Sequence, residues 1–232
     1  MNVRDGLREE VLEANLALVR HGLVTLTWGN ASGIDRTAGL VAIKPSGVPY
    51  EEMGVEDVVV VDLTGRVVEG ARRPSTDTPT HLALYRSCPE IGGIVHTHST
   101  WATSWAQAEL EIPILGTTHA DLCPGAVPIA RWLSVDETRG AYEENTGLVL
   151  REAIGDAGIE KVPAALVPGH GPFTWGESAA QALERAVTLE EVAHMAFLTV
   201  SLRPAVAPLP GFMVDRHFTR KHGPGAYYGQ AH

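Results

Sequence analysis

Ile-Gly-Gly-Ile-Val-His-Thr-His-Ser, residues 91–99, joins a short apolar run to two histidines set two positions apart. The run predicts a buried strand over 92–98, bounded by the Gly92-Gly93 pair and by Ser99. Side chains at i and i+2 of a strand project from one face, roughly 6.6 Å apart along the chain, so His96 and His98 can turn toward a common ion. Two ligands do not make a site. A structural zinc takes about four protein ligands and a catalytic one about three plus water, so another histidine or a carboxylate is required.

Two further candidates stand elsewhere. His170 follows the apolar run Ala164 to Val167 and is flanked by Gly169 and Gly171, which give the backbone room to turn it toward a neighbour. Asp77, in Pro-Ser-Thr-Asp-Thr-Pro-Thr-His (74–81), directly precedes an apolar helical pattern. Each has a structural alternative: a strand-end histidine often bonds a carbonyl, and Asp77 before Thr78-Pro79 is what a helix N-terminus favours. Other chemistries that use His-x-His fit less well. No Asp-His pair follows His98, as a dinuclear hydrolase pattern requires, and the first acid beyond it is Glu109, too far for a cupin pattern.

Outward from this strand, helical and strand signals alternate without a linker. Leu7, Val11, Ala14, Leu18 and Val19 repeat at helical spacing and predict a helix over 5–21, stopped by Gly22. Apolar runs predict strands at 23–26, 40–43 and 58–63, with a Thr64-Gly65 hairpin into Val67-Val68. Helices follow at 79–87, 100–108, 136–157 and 177–202, strands at 164–167 and 172–175, and short extended pieces at 112–130. From Arg203 the chain is rich in Pro and Gly. The reading is one α/β domain, residues 1–232, with helices on both faces of a mixed sheet and a Pro/Gly-rich tail over about 203–232.

At 232 residues the chain can bury a sizeable core. It carries 18 Lys and Arg against 28 Asp and Glu, a net charge of −10, which argues against nucleic acid or an anionic membrane as partner. The N-terminus is charged and lacks the apolar stretch of a signal peptide, and no run approaches a membrane span. Cys88 and Cys123 are too few for a disulfide scaffold, so the expected compartment is a reducing cytoplasm.

A second theme is anion binding. Thr27-Trp28-Gly29-Asn30-Ala31-Ser32 is a polar turn, and Ile43-Lys44-Pro45-Ser46-Gly47 pairs a cation with a hydroxyl and a flexible backbone. Turns of this kind aim backbone N–H groups outward and cradle phosphates. They are also common turn dipeptides with no ligand. Arg72 and Arg73, beside Ser75 and Thr76, add positive potential near Asp77.

Eight stretches in order carry a family resemblance: 12–18, 23–30, 43–48, Asp-Thr-Pro-Thr-His (77–81), 92–99, Gly-Thr-Thr-His-Ala-Asp (116–121), Gly-His-Gly-Pro-Phe (169–173) and Lys-His-Gly through Ala-Tyr-Tyr-Gly-Gln (221–230). The chain resembles the class II aldolase/epimerase family, and within it the branch that epimerises ketopentose phosphates at C4. The resemblance implies a three-layer α/β/α subunit with a central mixed β-sheet. It also implies a homotetramer with active sites between subunits, and a divalent metal, most commonly Zn2+, on His96, His98 and His170 with Asp77 as a further ligand.

Carried over position by position, phosphate binding falls on Gly29, Asn30, Lys44, Ser46, Gly47, Ser75 and Thr76. Proton transfer falls on Asp121 and Tyr228 from the adjacent subunit, with Thr117, Glu143 and His217 in support. The implied reaction interconverts L-ribulose 5-phosphate and D-xylulose 5-phosphate. C4 lies β to the ketone, so simple proton abstraction cannot invert it. Retro-aldol cleavage of C3–C4 and re-addition can, with a Lewis acid at the C2 and C3 oxygens and a proton carrier on each face. The alternatives are an aldolase for a fuculose- or rhamnulose-type phosphate, whose fuculose branch carries Glu where Asp77 stands, an epimerase for L-xylulose-type phosphates, and a catalytically silent relative.

Overall fold

A computed structural model describes residues 3–222 and 225–227. The chain runs α1 (Val3–Arg20), β1 (Asn30–Asp35), β2 (Leu40–Ile43), two 3₁₀ turns (Tyr50–Glu52 and Val55–Asp57), β3 (Val59–Asp62), β4 (Val67–Glu69) and α2 (Thr78–Ser87). It continues through β5 (Gly93–His96), α3 (Thr100–Gln107), α4 (Thr117–Leu122), α5 (Val135–Arg139), α6 (Tyr142–Ile154), β6 (Ala164–Val167), β7 (Gly171–Gly176), α7 (Ala179–Leu202) and α8 (Gly211–Lys221). The strands form one sheet in the order β4-β3-β2-β1-β5-β7-β6.

Strand alternation builds the layers. In β2, β3 and β5, Val41, Val59, Val61 and Ile94 face a cluster with Leu84 and Tyr85 of α2 and Leu150 of α6. Their neighbours Ala42, Val60 and Val95 face Val11, Ala14 and Leu18 of α1 and Ala179 and Ala182 of α7. Buried on both faces, these strands read as continuous apolar runs rather than as alternation, and each buried aliphatic side chain contributes about 1.5–3 kcal/mol relative to exposure. A third cluster ties α3 to α7 and β6 through Trp105, Val192 and Leu166. The expected three-layer α/β/α fold is present, with a difference in the sheet. Among the described residues its strand pairs are all antiparallel, and the mixed character survives only in the parallel bridge Ile129↔Leu166. Short turns join β1 to β2 and β6 to β7, and a two-way hairpin needs no crossover helix.

Five further expectations change. Residues 23–26 are not a strand, because Leu26 adopts φ 53 and Trp28 N–H closes a turn onto the Thr25 carbonyl. The polar turn at 27–32 is half strand, since β1 begins at Asn30. The stretch 112–130 contains α4, a six-residue helix too short to show periodicity. The helix expected over 136–157 is broken at Gly140: Ser134 and Glu137 cap α5 reciprocally, and α6 starts afresh at Tyr142. The Pro/Gly-rich tail also contains α8, whose one buried side chain is Val214, so apolar periodicity could not reveal it.

Candidate active site

Register brings the first histidine to its partners. Asn30, the first residue of β1, lies opposite His96, the last of β5, and His96 also faces Phe173 of β7. Gly29 permits this close approach. Its φ is +88, and a Cβ there would lie 2.8 Å from the His96 carbonyl oxygen and 2.9 Å from Val24 Cγ1. His170 caps the turn between β6 and β7, its N–H bonded to the Val167 carbonyl at 3.1 Å. The end of β5 and the β6–β7 turn thus deliver three imidazoles to one point. Ring centroids lie 5.0 Å (His96–His98), 4.7 Å (His96–His170) and 5.0 Å (His98–His170) apart, and one nitrogen from each falls within 4.8 Å of the others.

The surroundings prepare these rings as ligands. His96 Nδ1–H donates to the Pro172 carbonyl at 3.0 Å, which leaves Nε2 with a free lone pair, and Phe173 stacks on the ring at 4.1 Å. His170 Nδ1 is buried and has no hydrogen-bond partner, as a nitrogen reserved for an ion would be. Burial pushes His96 down to about 3 and lowers His98 and His170, so all three are neutral near pH 7, the form that ligates. The triad fits a divalent ion.

Asp77 stands just before α2 and lines the same cavity, outside the compact three-nitrogen set. Its Oδ2 accepts from Asn30 Nδ2 at 2.6 Å, and its own N–H donates to Ser75 Oγ at 3.3 Å. Burial raises its carboxyl, but electrostatic interaction with the His96 and His81 rings and the Asn30 hydrogen bond outweigh this and hold it below the usual range.

The anion side of the cavity is built by pairing two turns. Ser75 N–H donates to the Lys44 carbonyl and Ser46 N–H to the Arg73 carbonyl, both at 2.9 Å, across the bridge Pro45↔Pro74. That places Lys44, Ser46 and Gly47 beside Ser75 and Thr76, and Asn30 Nδ2 reaches Ser75 Oγ at 3.2 Å. All seven expected phosphate residues, Asp77 and the three histidines line one cavity of about 370 Å³. Lys44 is buried, its Nζ donates to the Val48 carbonyl at 3.1 Å, and desolvation lowers its pKa. Arg72, by contrast, is committed to Asp57 at 2.8 Å.

Of the two expected proton-transfer residues, Asp121 lies elsewhere in the subunit. Asp121 of α4 is gripped by α8: Arg220 Nε donates to Oδ1 at 2.9 Å, Arg220 Nη2 bonds Oδ2, and His217 Nδ1 lies 3.1 Å from Oδ1. Burial raises this carboxyl, and the Arg220 and His217 hydrogen bonds more than reverse the effect. With Thr117, Asp121 lines a separate cavity of about 380 Å³. Glu143 lies in the first turn of α6, where its carbonyl accepts from Thr80 Oγ1 at 2.6 Å. Tyr228 lies outside the described residues. Sequence reasoning missed Trp28, which lines the cavity, Phe173 behind His96, and Tyr50 beneath Lys44. None carries a local signal, since each acts through a contact distant in sequence.

Comparison with known proteins agrees with this geometry. The sequence pattern of the Class II Aldolase and Adducin N-terminal domain matches residues 9–197. The chain belongs to the class II aldolase and adducin family. A family relative from Salmonella paratyphi B (strain ATCC BAA-1250 / SPB7), named L-ribulose-5-phosphate 4-epimerase UlaF, is 55% identical over 224 residues, covering 97% of this chain and 98% of that one. Among solved structures, an L-fuculose 1-phosphate aldolase superposes with a TM-score of 0.78 at 26% identity, over 93% of this chain and 95% of its own. The L-fuculose 1-phosphate aldolase from Glaciozyma antarctica PI12 also gives 0.78, at 19% identity over 96% and 84%, and bears on the fold alone.

Proposed function

We propose that this chain is a metal-dependent 4-epimerase that interconverts L-ribulose 5-phosphate and D-xylulose 5-phosphate by cleaving and re-forming C3–C4. The observation that carries it is the single cavity in which a histidine triad faces an anion cradle of Asn30, Lys44, Ser46 and Ser75. A divalent ion, Zn2+ in this reading, held by His96, His98 and His170 with Asp77 beside them, supplies a Lewis acid toward the ketone end of the substrate.

The chain's own residues do the rest. Lys44 and the Ser46-Gly47 and Ser75-Thr76 turns hold the phosphate, so the aldehyde fragment stays in place while it rotates. Retention of that fragment is what separates an epimerase from an aldolase. Asp121 and Tyr228 of the adjacent subunit carry protons to and from the C4 oxygen, one on each face, with Thr117, Glu143 and His217 in support. That Asp121 and Thr117 line a different cavity from the triad supports a site completed across a subunit interface, in a homotetramer. A cytoplasmic location accords with a sugar-phosphate substrate.

The structural likeness to L-fuculose 1-phosphate aldolase supports a second reading, an aldolase. Asp77 favours the epimerase, because its carboxylate is short and already committed to Asn30. The test is incubation of purified protein with L-ribulose 5-phosphate and, separately, L-fuculose 1-phosphate, with and without a chelator. Epimerisation of the first that stops on chelation and returns with metal is expected. Cleavage of the second with no epimerisation of the first would replace this reading by the aldolase.

A further inference from the structure

Tyr50 is buried (3% exposed), yet its two ends reach two different parts of the cavity wall. Its hydroxyl donates to the Gly29 carbonyl at 2.8 Å, with the Trp28 carbonyl a second acceptor at 3.2 Å. Its ring lies under the Lys44 ammonium, 4.6 Å from Nζ to the centroid. Among the described residues no other direct hydrogen bond joins the side chain or backbone of 44–52 to the 27–30 turn. Without this residue the two turns would be related only through the sheet and through Ser75, which bonds the Asn30 side chain and the Lys44 carbonyl.

We infer that Tyr50 is the positioning residue of the phosphate end of the site, coupling the Gly29–Asn30 turn to Lys44 so that both meet the anion together; this rests on the reading of that end as a phosphate cradle. The surroundings of Tyr50 support this role in three ways. The Gly29 peptide has a backbone conformation that L side chains avoid, so an added constraint on its carbonyl fixes a segment that would otherwise have freedom to turn. Asn30 follows directly, and its side chain is the one that bonds Ser75 and Asp77, so tilting the Gly29–Asn30 peptide moves both. The ring face stabilises the cation of a lysine whose pKa burial lowers, and it does so without offering an anion that would compete with phosphate. A carboxylate in this place would neutralise Lys44. An aliphatic residue would leave it desolvated and the Gly29 carbonyl unpaired.

The hydroxyl and the ring can be tested apart. Tyr50→Phe keeps shape and ring and removes the hydroxyl, whereas Tyr50→Leu removes the ring face as well. The readouts are inorganic phosphate affinity by calorimetry, KM and kcat for L-ribulose 5-phosphate, bound metal and thermal midpoint. For Tyr50→Phe, phosphate affinity is expected to weaken about three- to tenfold and KM to rise in parallel, the effect of one neutral hydrogen bond, with metal content unchanged and kcat altered less. Tyr50→Leu should lose more, and Lys44→Met combined with Tyr50→Leu should cost less than the two single losses together, because the ring acts on phosphate through the lysine.

Wild-type phosphate affinity in both variants would overturn the inference. So would loss of metal and thermal midpoint in step with phosphate affinity, which would make Tyr50 a general structural residue. Wild-type protein that binds phosphate but does not epimerise the sugar would defeat the proposed reaction and leave Tyr50 in its role. Wild-type protein that binds neither would defeat both.

Discussion

His96 is held from two sides before any ion arrives, by the Pro172 carbonyl at Nδ1 and by Phe173 against its face. A ring so constrained loses little freedom on ligation, and His98 and His170 complete the set from separate loops. His96→Asn, His98→Asn and His170→Asn should each lose bound metal to background on dialysis, with activity lost in step. Metal analysis decides it, and any variant that keeps both removes that residue from the ligand set. At the anion end, Lys44→Met should raise KM about 10- to 100-fold, the loss of one charged hydrogen bond, and should change kcat less. Equal use of L-ribulose 5-phosphate and L-ribulose by the wild type would defeat this. A third residue reports on pH. Burial holds the folded pKa of His119 near 4 against an ordinary 6.5, over the opposing pull of the Gly125 and Pro113 carbonyls. Between those values the unfolded chain takes up a proton that the folded one refuses. Its contribution to stability is therefore complete above pH 6.5 and is lost as pH falls toward 4, by up to about 3 kcal/mol. Urea unfolding at pH 7 and pH 5 should show a smaller acid loss in His119→Gln than in wild type, and equal slopes would exclude His119 as the source.

At the scale of elements, α3 begins two residues after His98, and its N-terminus is satisfied by a long-range partner. Glu190 of α7 accepts from Trp101 N–H at 2.8 Å and Ala102 N–H at 3.0 Å, one oxygen each. The contact fixes the turn that follows His98, and the negative charge suits the positive end of a helix. Glu190→Ala should destabilise the fold by about 1–2 kcal/mol in urea unfolding and weaken metal binding measurably, with Glu190→Gln intermediate. Unchanged stability in the Ala variant would show that water replaces the carboxylate. Such long-range caps explain why some elements were legible and others were not. Strands β2, β3 and β6 announce themselves as apolar runs, and α2 carries Pro79 in its first turn. α4 and α8 are held to each other by Asp121, Arg220, His217 and His222, polar groups with no periodic signature.

For the whole molecule, the two faces of the sheet need different helices, and Ile94→Ala, which empties part of the larger core, should cost about 2–5 kcal/mol without altering the ligand set. Assembly is tested by complementation. Mixing inactive His96→Asn with inactive Tyr228→Phe and allowing subunits to exchange should restore part of the turnover, because one interface then joins an intact triad to an intact proton carrier. No recovery after demonstrated exchange would place both functions within one subunit. The amino-acid sequence alone determined the alternation of helices and strands, the His-x-His pair at a strand end, the glycine-flanked His170 and the two anion-type turns. Each is a matter of local spacing, and spacing along an extended or helical backbone has a fixed geometry. Tertiary structure decided that the strand pairs are antiparallel, that Asn30 faces His96, that Tyr50 spans two turns, and that Asp121 belongs to a different cavity from the triad. Those relations join residues up to about a hundred positions apart, as in the Asp121–Arg220 pair, and depend on register and layer packing, which the whole core settles together.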